Sequence, residues 1–215
     1  MRTYIIKKLA ERPELLSGKA FSPDALPKGF DTLNEGRVDI YPWGGDYRPE
    51  VRFWIGWHEE GLYVLTAAKE DTIQAKETKI SGRQCVDSCM EFFFMPCPDT
   101  DPDYFNFELN PLAIPHIGLG IGRRPPRKHF TELPEGSAFT ASAHENGWWA
   151  VCYFIPAAFI AGEIEGFKPE SGKAINANVY KCDESVHPHF GVWNDVSAAQ
   201  PDFHRPECFG KMIFE

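Results

Sequence analysis

The side chains best suited to chemistry in this sequence are two glutamates, Glu91 and Glu108, set in neighbouring aromatic-rich runs. In the second run Tyr104, Asn106, Glu108 and Asn110 alternate with Phe105, Phe107 and Leu109. In the first, Cys89, Glu91 and Phe93 oppose Met90, Phe92 and Phe94. Successive side chains of a strand point to opposite faces, so each run presents an apolar face and a hydrogen-bonding one. Paired carboxylates on one face suit two chemistries. Flanking a glycosidic bond, one acts as acid and the other as nucleophile or base. Facing a polyhydroxylated ligand, both accept hydrogen bonds from vicinal hydroxyls and nothing is turned over. The carboxamides in register with the carboxylates favour the second chemistry.

Two further groupings suggest metals. Cys182, His187, His189, His204 and Cys208 follow C-x4-H-x-H and H-x3-C, residue types that bind zinc. Tight CxxC pairs are missing, so the expectation is buried cysteines packed as small apolar residues and histidines in loops. Asp99, Asp101 and Asp103 imitate the start of a calcium loop, but Pro102 stiffens it and the glycine and closing glutamate are missing. A plain acidic turn is expected, with a weak surface calcium site as the one cofactor the sequence suggests. GxSxG, P-loop, HExxH and Rossmann signatures are absent, which weighs against an enzyme.

The elements that must position these residues are short strands. Residues 4–8 read as an edge strand and 38–43 as a short strand or bulge. A hairpin over 51–71 turns at His58-Glu-Glu-Gly61, and residues 84–110 form the hairpin that carries the two glutamates. Residues 111–136 are the least regular stretch, rich in proline and glycine, and hold the dense basic run Gly122-Arg-Arg-Pro-Pro-Arg-Lys128. Such a run is expected to be a solvated loop; the other reading is that Arg123, Arg124 or Arg127 reaches over a neighbouring site. A third hairpin spans 139–155, one helical turn follows at 157–161, and strands are expected at 174–181, near 187–195 and at 209–214. Many short strands separated by turn signals predict an all-β fold, an antiparallel two-sheet β-sandwich or jelly roll with little helix.

The chain has 215 residues, a length that all-β sandwiches reach undivided, so one domain over 1–215 is expected. Its net charge of -9 and pI near 5.3 argue against nucleic acid or an anionic membrane as partner, since both need a basic footprint. The apolar run at residues 4–6 is cut by Lys7 and Lys8, which leaves no signal-peptide core. A cytoplasmic protein with six reduced cysteines is therefore expected, although the even count also suits secretion with disulfides.

An ordered series of motifs then becomes visible: Trp43, Gly61-Leu-Tyr-Val64 with Asp71, Val86-Asp-Ser-Cys-Met-Glu-Phe-Phe93, Tyr104-x-Asn-Phe-Glu-x-Asn110, residues 149–156, Ala177-Asn-Val-Tyr-Lys-Cys182, His189-Phe-x-x-Trp193 and Pro201-Asp-Phe-His-Arg-Pro-Glu-x-Phe-Gly210. Together they resemble the family 9-like carbohydrate-binding domains, relatives of the modules appended to xylanases, over residues 43–214. The resemblance implies a β-sandwich that binds saccharide without catalysis. In those modules two tryptophans clamp the sugar; here Gln84 stands at the first position and Phe203 at the second. The implied polar set is Glu91, Glu108, Asn110 and Asn178, with Glu108 replacing an arginine. The expected arrangement is thus Phe203 stacked on the ring, the polar set on its hydroxyls, Gln84 at the rim, and Trp57 or the basic loop as a substitute wall. The alternatives are a glycoside-active enzyme using Glu91 and Glu108, and a structural or interaction sandwich that has lost sugar binding.

Overall fold

The computed structural model describes residues 1–185 and 187–215. Thirteen strands occur among the described residues: β1 Thr3–Lys8, β2 Gly36–Arg37, β3 Glu50–His58, β4 Gly61–Lys69, β5 Cys89–Met95, β6 Tyr104–Leu109, β7 Pro115–Gly120, β8 Lys128–Phe130, β9 Ala138–Ala141, β10 Trp148–Pro156, β11 Ala174–Asp183, β12 His189–Val192 and β13 Gly210–Phe214. Among the described residues one α-helix, α1, spans Ala157–Glu163, and three single 3-10 turns accompany it. The strands hydrogen-bond in the order β8-β7-β6-β5-β11-β13-β1-β3-β4-β10-β9, with β12 on β11 and β2 on β3. This curled sheet folds its two halves face to face.

The join between the halves corrects the expected topology. Residues 4–8 are no edge strand and the sheet is not purely antiparallel. Thr3 to Ile6 of β1 pair parallel with Lys211 to Phe214 of β13, and Lys7 and Lys8 pair parallel with Gly56 and Trp57 of β3. The alternation of buried Tyr4 and Ile6 with exposed Ile5 reveals which face is buried. It carries no information about how many edges are hydrogen-bonded, and that is the feature the sequence conceals.

Alternation decides what fills the middle. Phe92, Phe94, Phe105, Phe107 and Ile117 from one half meet Leu62, Val64, Trp149, Val151 and Ile155 from the other in a continuous core. Each fully buried phenylalanine there contributes roughly 1.5–3 kcal/mol. The outer face of β3, β4 and β10 is covered by the N-terminal coil through Leu9, Phe21, Phe30 and Leu33. The outer face of β5, β6 and β11 is only partly covered, by a strap of residues 193–209 that docks Val196, Phe203 and Phe209.

Two strands lie inside the stretch expected to be irregular. β7 starts on Pro115, a position where a strand tolerates proline, and includes Gly118 and Gly120, which blur its pattern. β8 carries His129. Residues 38–43, expected as a strand or bulge, contribute only an isolated bridge from Ile40 to Val192.

Charge is buried at one end of the sandwich. Lys181 points inward, its Nζ 3.0 Å from Glu70 Oε1, with both side chains sealed from solvent. The Trp149 indole N–H donates to the other Glu70 oxygen, Lys181 donates to the Cys182 carbonyl at 2.7 Å, and His189 Nε2 lies 3.6 Å from Glu70 Oε1. Removing one partner strands the other charge in the core. Glu70→Gln is therefore expected to cost about 3–5 kcal/mol, measured by urea unfolding, with much of the loss recovered in a Glu70→Leu/Lys181→Met double variant.

The strap is pinned by polar bonds. The Tyr180 hydroxyl donates to the Phe203 carbonyl at 3.1 Å, the Tyr104 hydroxyl hydrogen-bonds His204 Nδ1 at 2.8 Å, and Trp43 Nε1–H donates to the Ala198 carbonyl at 2.8 Å. Burial, and then Arg127 and Arg123, push His204 down to about 3, so its ring is neutral in the fold. The unfolded chain takes up a proton on that ring near its ordinary 6.5. Stability must therefore fall as pH drops from about 6.5 toward 3, by up to about 1.4 kcal/mol per pH unit from this group. His204→Gln is expected to flatten the curve of thermal midpoint against pH in that window.

Candidate functional site

Where the strap leaves the outer face of β5, β6 and β7 uncovered, a cleft of about 320 Å³ opens. Two rows of register partners run beneath it, and only Glu91, Glu108, His116, Asn106 and His129 of them reach its floor. Tyr180, Glu91, Glu108 and His116 lie opposite one another across β11, β5, β6 and β7. The next row is Asn178, Phe93, Asn106, Gly118 and His129. Both rows are the polar faces that the alternation in β5 and β6 dictates, extended by β7 and β8.

Glu91 is nearly sealed, at 3 % exposure, whereas Glu108 is half-buried. Burial, and then the neighbouring charge of Glu108, push the Glu91 carboxyl well above the usual carboxylate range. The Cys182 thiol donates to Glu91 Oε1 at 3.1 Å. Glu108 accepts from Asn106 Nδ2 at 2.8 Å, and Asn106 Oδ1 in turn accepts from the Arg127 guanidinium. Arg127 also donates to the carbonyls of Gly120 (3.2 Å) and Gly122 (2.8 Å) and lies 4.7 Å over the Tyr104 ring. Gly118 makes this reach possible, since a Cβ there would stand 2.5 Å from Asn106 Oδ1 and 3.1 Å from Arg127 Nε.

The two histidines of the floor are coupled to each other. His116 Nδ1 bonds the Gly82 carbonyl at 2.9 Å, and because a carbonyl only accepts, that nitrogen carries the proton. The 3.2 Å contact between His116 Nε2 and His129 Nδ1 then has His129 donating when both rings are neutral. Burial, and then His116, lower the His129 pKa, which favours that neutral form. Across the mouth, Arg123 Nε pairs with Asp202 of the strap at 3.2 Å. The basic run is thus a wall of the cleft through Arg123 and Arg127, while Arg124 is exposed to solvent.

Of the six residues the sequence singled out, Glu91, Glu108 and Phe203 line the cleft and Gln84, Asn110 and Asn178 do not. All three of the latter are completely buried. Gln84 donates to the Lys79 carbonyl at 2.8 Å. Asn110 is spent on the Glu77 carbonyl, Asp87 and the N–H groups of Leu112 and Ile114. Asn178 donates to the Asn194 carbonyl and accepts the Asn194 N–H, both at 2.8 Å. These amides satisfy the backbone of loops packed on the sheet, a duty that strand alternation cannot distinguish from facing a ligand.

Phe203 is not the open platform expected. It is 7 % exposed and stacked on Tyr180 at 4.2 Å, with Trp43 and Phe190 also against it. The half-exposed aromatic at the rim is Phe190, and Trp57 is buried in the core. The lining also includes Asn106, which the alternation places on the polar face, Cys182 and His204, which the sequence groups as metal candidates, and residues that the sequence does not single out, His116, His129, Phe190 and Asp202 among them. The alternation of His116, Gly118 and Gly120 with Ile117 and Leu119 was the available signal for β7.

The zinc-like series disperses. Cys182 lies on the cleft floor, His187 is exposed beside Tyr47, His189 lies against Glu70, His204 on Tyr104, and Cys208 is half-buried within the strap. The three aspartates make an acidic turn in which Asp103 N–H donates to Asp101 Oδ1 at 2.9 Å.

With this geometry established, comparison with known proteins identifies the relatives. The model of carbohydrate-binding family 9 matches residues 29–214. No curated protein matches the sequence. Among solved structures, a Bacteroides uniformis protein to which carbohydrate binding is attributed is 25 % identical, superposes with a TM-score of 0.80, and is matched over 100 % of this chain and 99 % of its own. A family 9 carbohydrate-binding module from Caldicellulosiruptor kristjanssonii shares the fold at 11 % identity, with TM-scores of 0.67 in its glucose complex and 0.66 in its cellotriose complex. Those matches cover 100 % of this chain and 96 % and 94 % of the module. Residues 29–214 span most of the chain, and the protein belongs to carbohydrate-binding family 9.

Proposed function

We propose that the cleft between the basic run and the strap binds a saccharide and releases it unchanged. The observation that carries this reading is the floor itself. Glu108, His116 and His129 stand side by side at a solvent-accessible surface, with the buried Asn106 amide donating to Glu108 from the next row, so that acceptors and donors are offered at sheet spacing. Vicinal hydroxyls both donate and accept, so a carboxylate flanked by imidazoles matches them. Phe190 and the ring edge of Phe203 supply the apolar side, in place of a two-ring clamp. A cleft of about 320 Å³ is at the small end of ligand sites and suits one or two sugar units. The glucose and the trisaccharide cellotriose bound by the Caldicellulosiruptor module support a saccharide as the ligand class.

Catalysis by Glu91 and Glu108 is disfavoured on geometry. A glycosidase sets its carboxyl groups on either side of the scissile bond. Here they are register partners on adjacent strands and approach any ligand from the same side.

Calorimetry against mono- and oligosaccharides of the gluco, xylo and uronic series tests the reading. At least one should bind, and Glu108→Gln should weaken it by about 10- to 100-fold, the worth of a hydrogen bond to a charged acceptor. Silence across the panel, or unchanged affinity in that variant, would refute the assignment. Phe203→Ala is a different kind of change. Because the ring is packed on three sides, it is expected to lose about 3–5 kcal/mol of stability in denaturant unfolding.

A further inference from the structure

The deepest part of the cleft holds a group that sugar binding does not require. Cys89 and Cys182 are register partners on β5 and β11, and Glu91 follows Cys89 by two residues on the same face. One ligand atom from each lies within 4.8 Å of the other two. Cys182 Sγ and Glu91 Oε1 are 3.1 Å apart. The three side chains are 0 %, 2 % and 3 % exposed for Cys89, Cys182 and Glu91, and all six cysteines of the chain are free thiols. Glu91 and Cys182 also line the cleft, so the group is buried but reachable from one side.

We propose that Cys89, Cys182 and Glu91 form a binding site for a thiophilic divalent cation of the zinc class, with its fourth coordination position open to the cleft. Two thiolates and a carboxylate are a donor set that zinc accepts, at metal–ligand lengths of about 2.3 Å to sulfur and 2.0–2.2 Å to oxygen. A tetrahedron of those lengths has edges of about 3.8 Å between sulfurs and about 3.5 Å between sulfur and oxygen. The observed group, within 4.8 Å throughout, reaches that size by side-chain rotation on fixed strands. Glu108 beside Glu91 and Glu184 at the rim add negative field that attracts a cation. Arg123 and Arg127 at the mouth act in the opposite sense, which leaves the floor as the favoured position.

Thiols and carboxyl groups bind a cation in their deprotonated forms, so loading the site releases protons to solvent and affinity rises with pH. The ion needs no oxidant and no sugar, and its binding can be followed with the saccharide left out.

The test is titration of the intact chain with Co²⁺ under anaerobic conditions and a non-thiol reductant, followed by Zn²⁺ competition. The expected result is one ion per chain, tetrahedral visible bands, and a thiolate-to-cobalt charge-transfer band that Zn²⁺ abolishes. Cys89→Ser and Cys182→Ser should each diminish the charge-transfer band. Loss of supporting groups around a metal already costs 10–100-fold, so losing a direct ligand should weaken binding by about 100-fold or more. Glu91→Gln should keep the band and still weaken binding, and it decides the question if a serine variant does not fold. The absence of a charge-transfer band, a band unchanged in both serine variants, or unchanged affinity in Glu91→Gln would each overturn the proposal.

Discussion

Two glutamates directly opposite on paired strands repel, and the architecture of this face follows from how that repulsion is contained. One of the pair, Glu91, is driven into the sheet, where burial favours its neutral form and a thiol donates to it. The other, Glu108, stays half-buried and takes an amide donor whose own oxygen is held by Arg127. The arginine is in turn fixed by two backbone carbonyls and by the Tyr104 ring. The polar cleft is therefore a set of supports around one unfavourable pair, left open to solvent on one side.

That surface exists because two parts of the chain leave it uncovered in a controlled way. β1 joins the two halves of the sheet through parallel pairing on both edges and so fixes their packing over the aromatic core. The strap of residues 193–209 then covers only part of the outer face, anchored by Tyr180, Tyr104 and Trp43. The basic run covers the opposite wall, tied across the mouth by Arg123 and Asp202. Arg123 and Asp202 are each substantially exposed, so this bridge contributes little stability; it brings the two walls together at the opening.

The sequence made the alternating hairpins legible, and with them the placement of Glu91 and Glu108 on one face. Period-two patterning reports faces, and those two residues needed nothing else. It failed where the answer depends on what comes to lie over a face. Asn110 and Asn178 share the polar side of their strands with the glutamates, yet loops distant in sequence descend on them and consume their hydrogen bonds. Gln84 is held by Lys79 for the same reason, and Phe203 is closed off by Tyr180, an aromatic from a strand that also reads as polar-faced. β7 is hidden in the sequence because its proline and two glycines signal a loop, although Gly118 and Gly120 are what leave room for Arg127 over the sheet.

The most direct test of the binding cleft is a map of backbone amide shifts as a bound oligosaccharide is titrated into isotope-labelled protein. Shifts concentrated in β6, β7, residues 122–129 and residues 201–204 are the predicted result. Shifts centred instead on the groove between Arg12, Tyr63 and Phe154, or spread along the outer face of β3 and β4, would contradict the account.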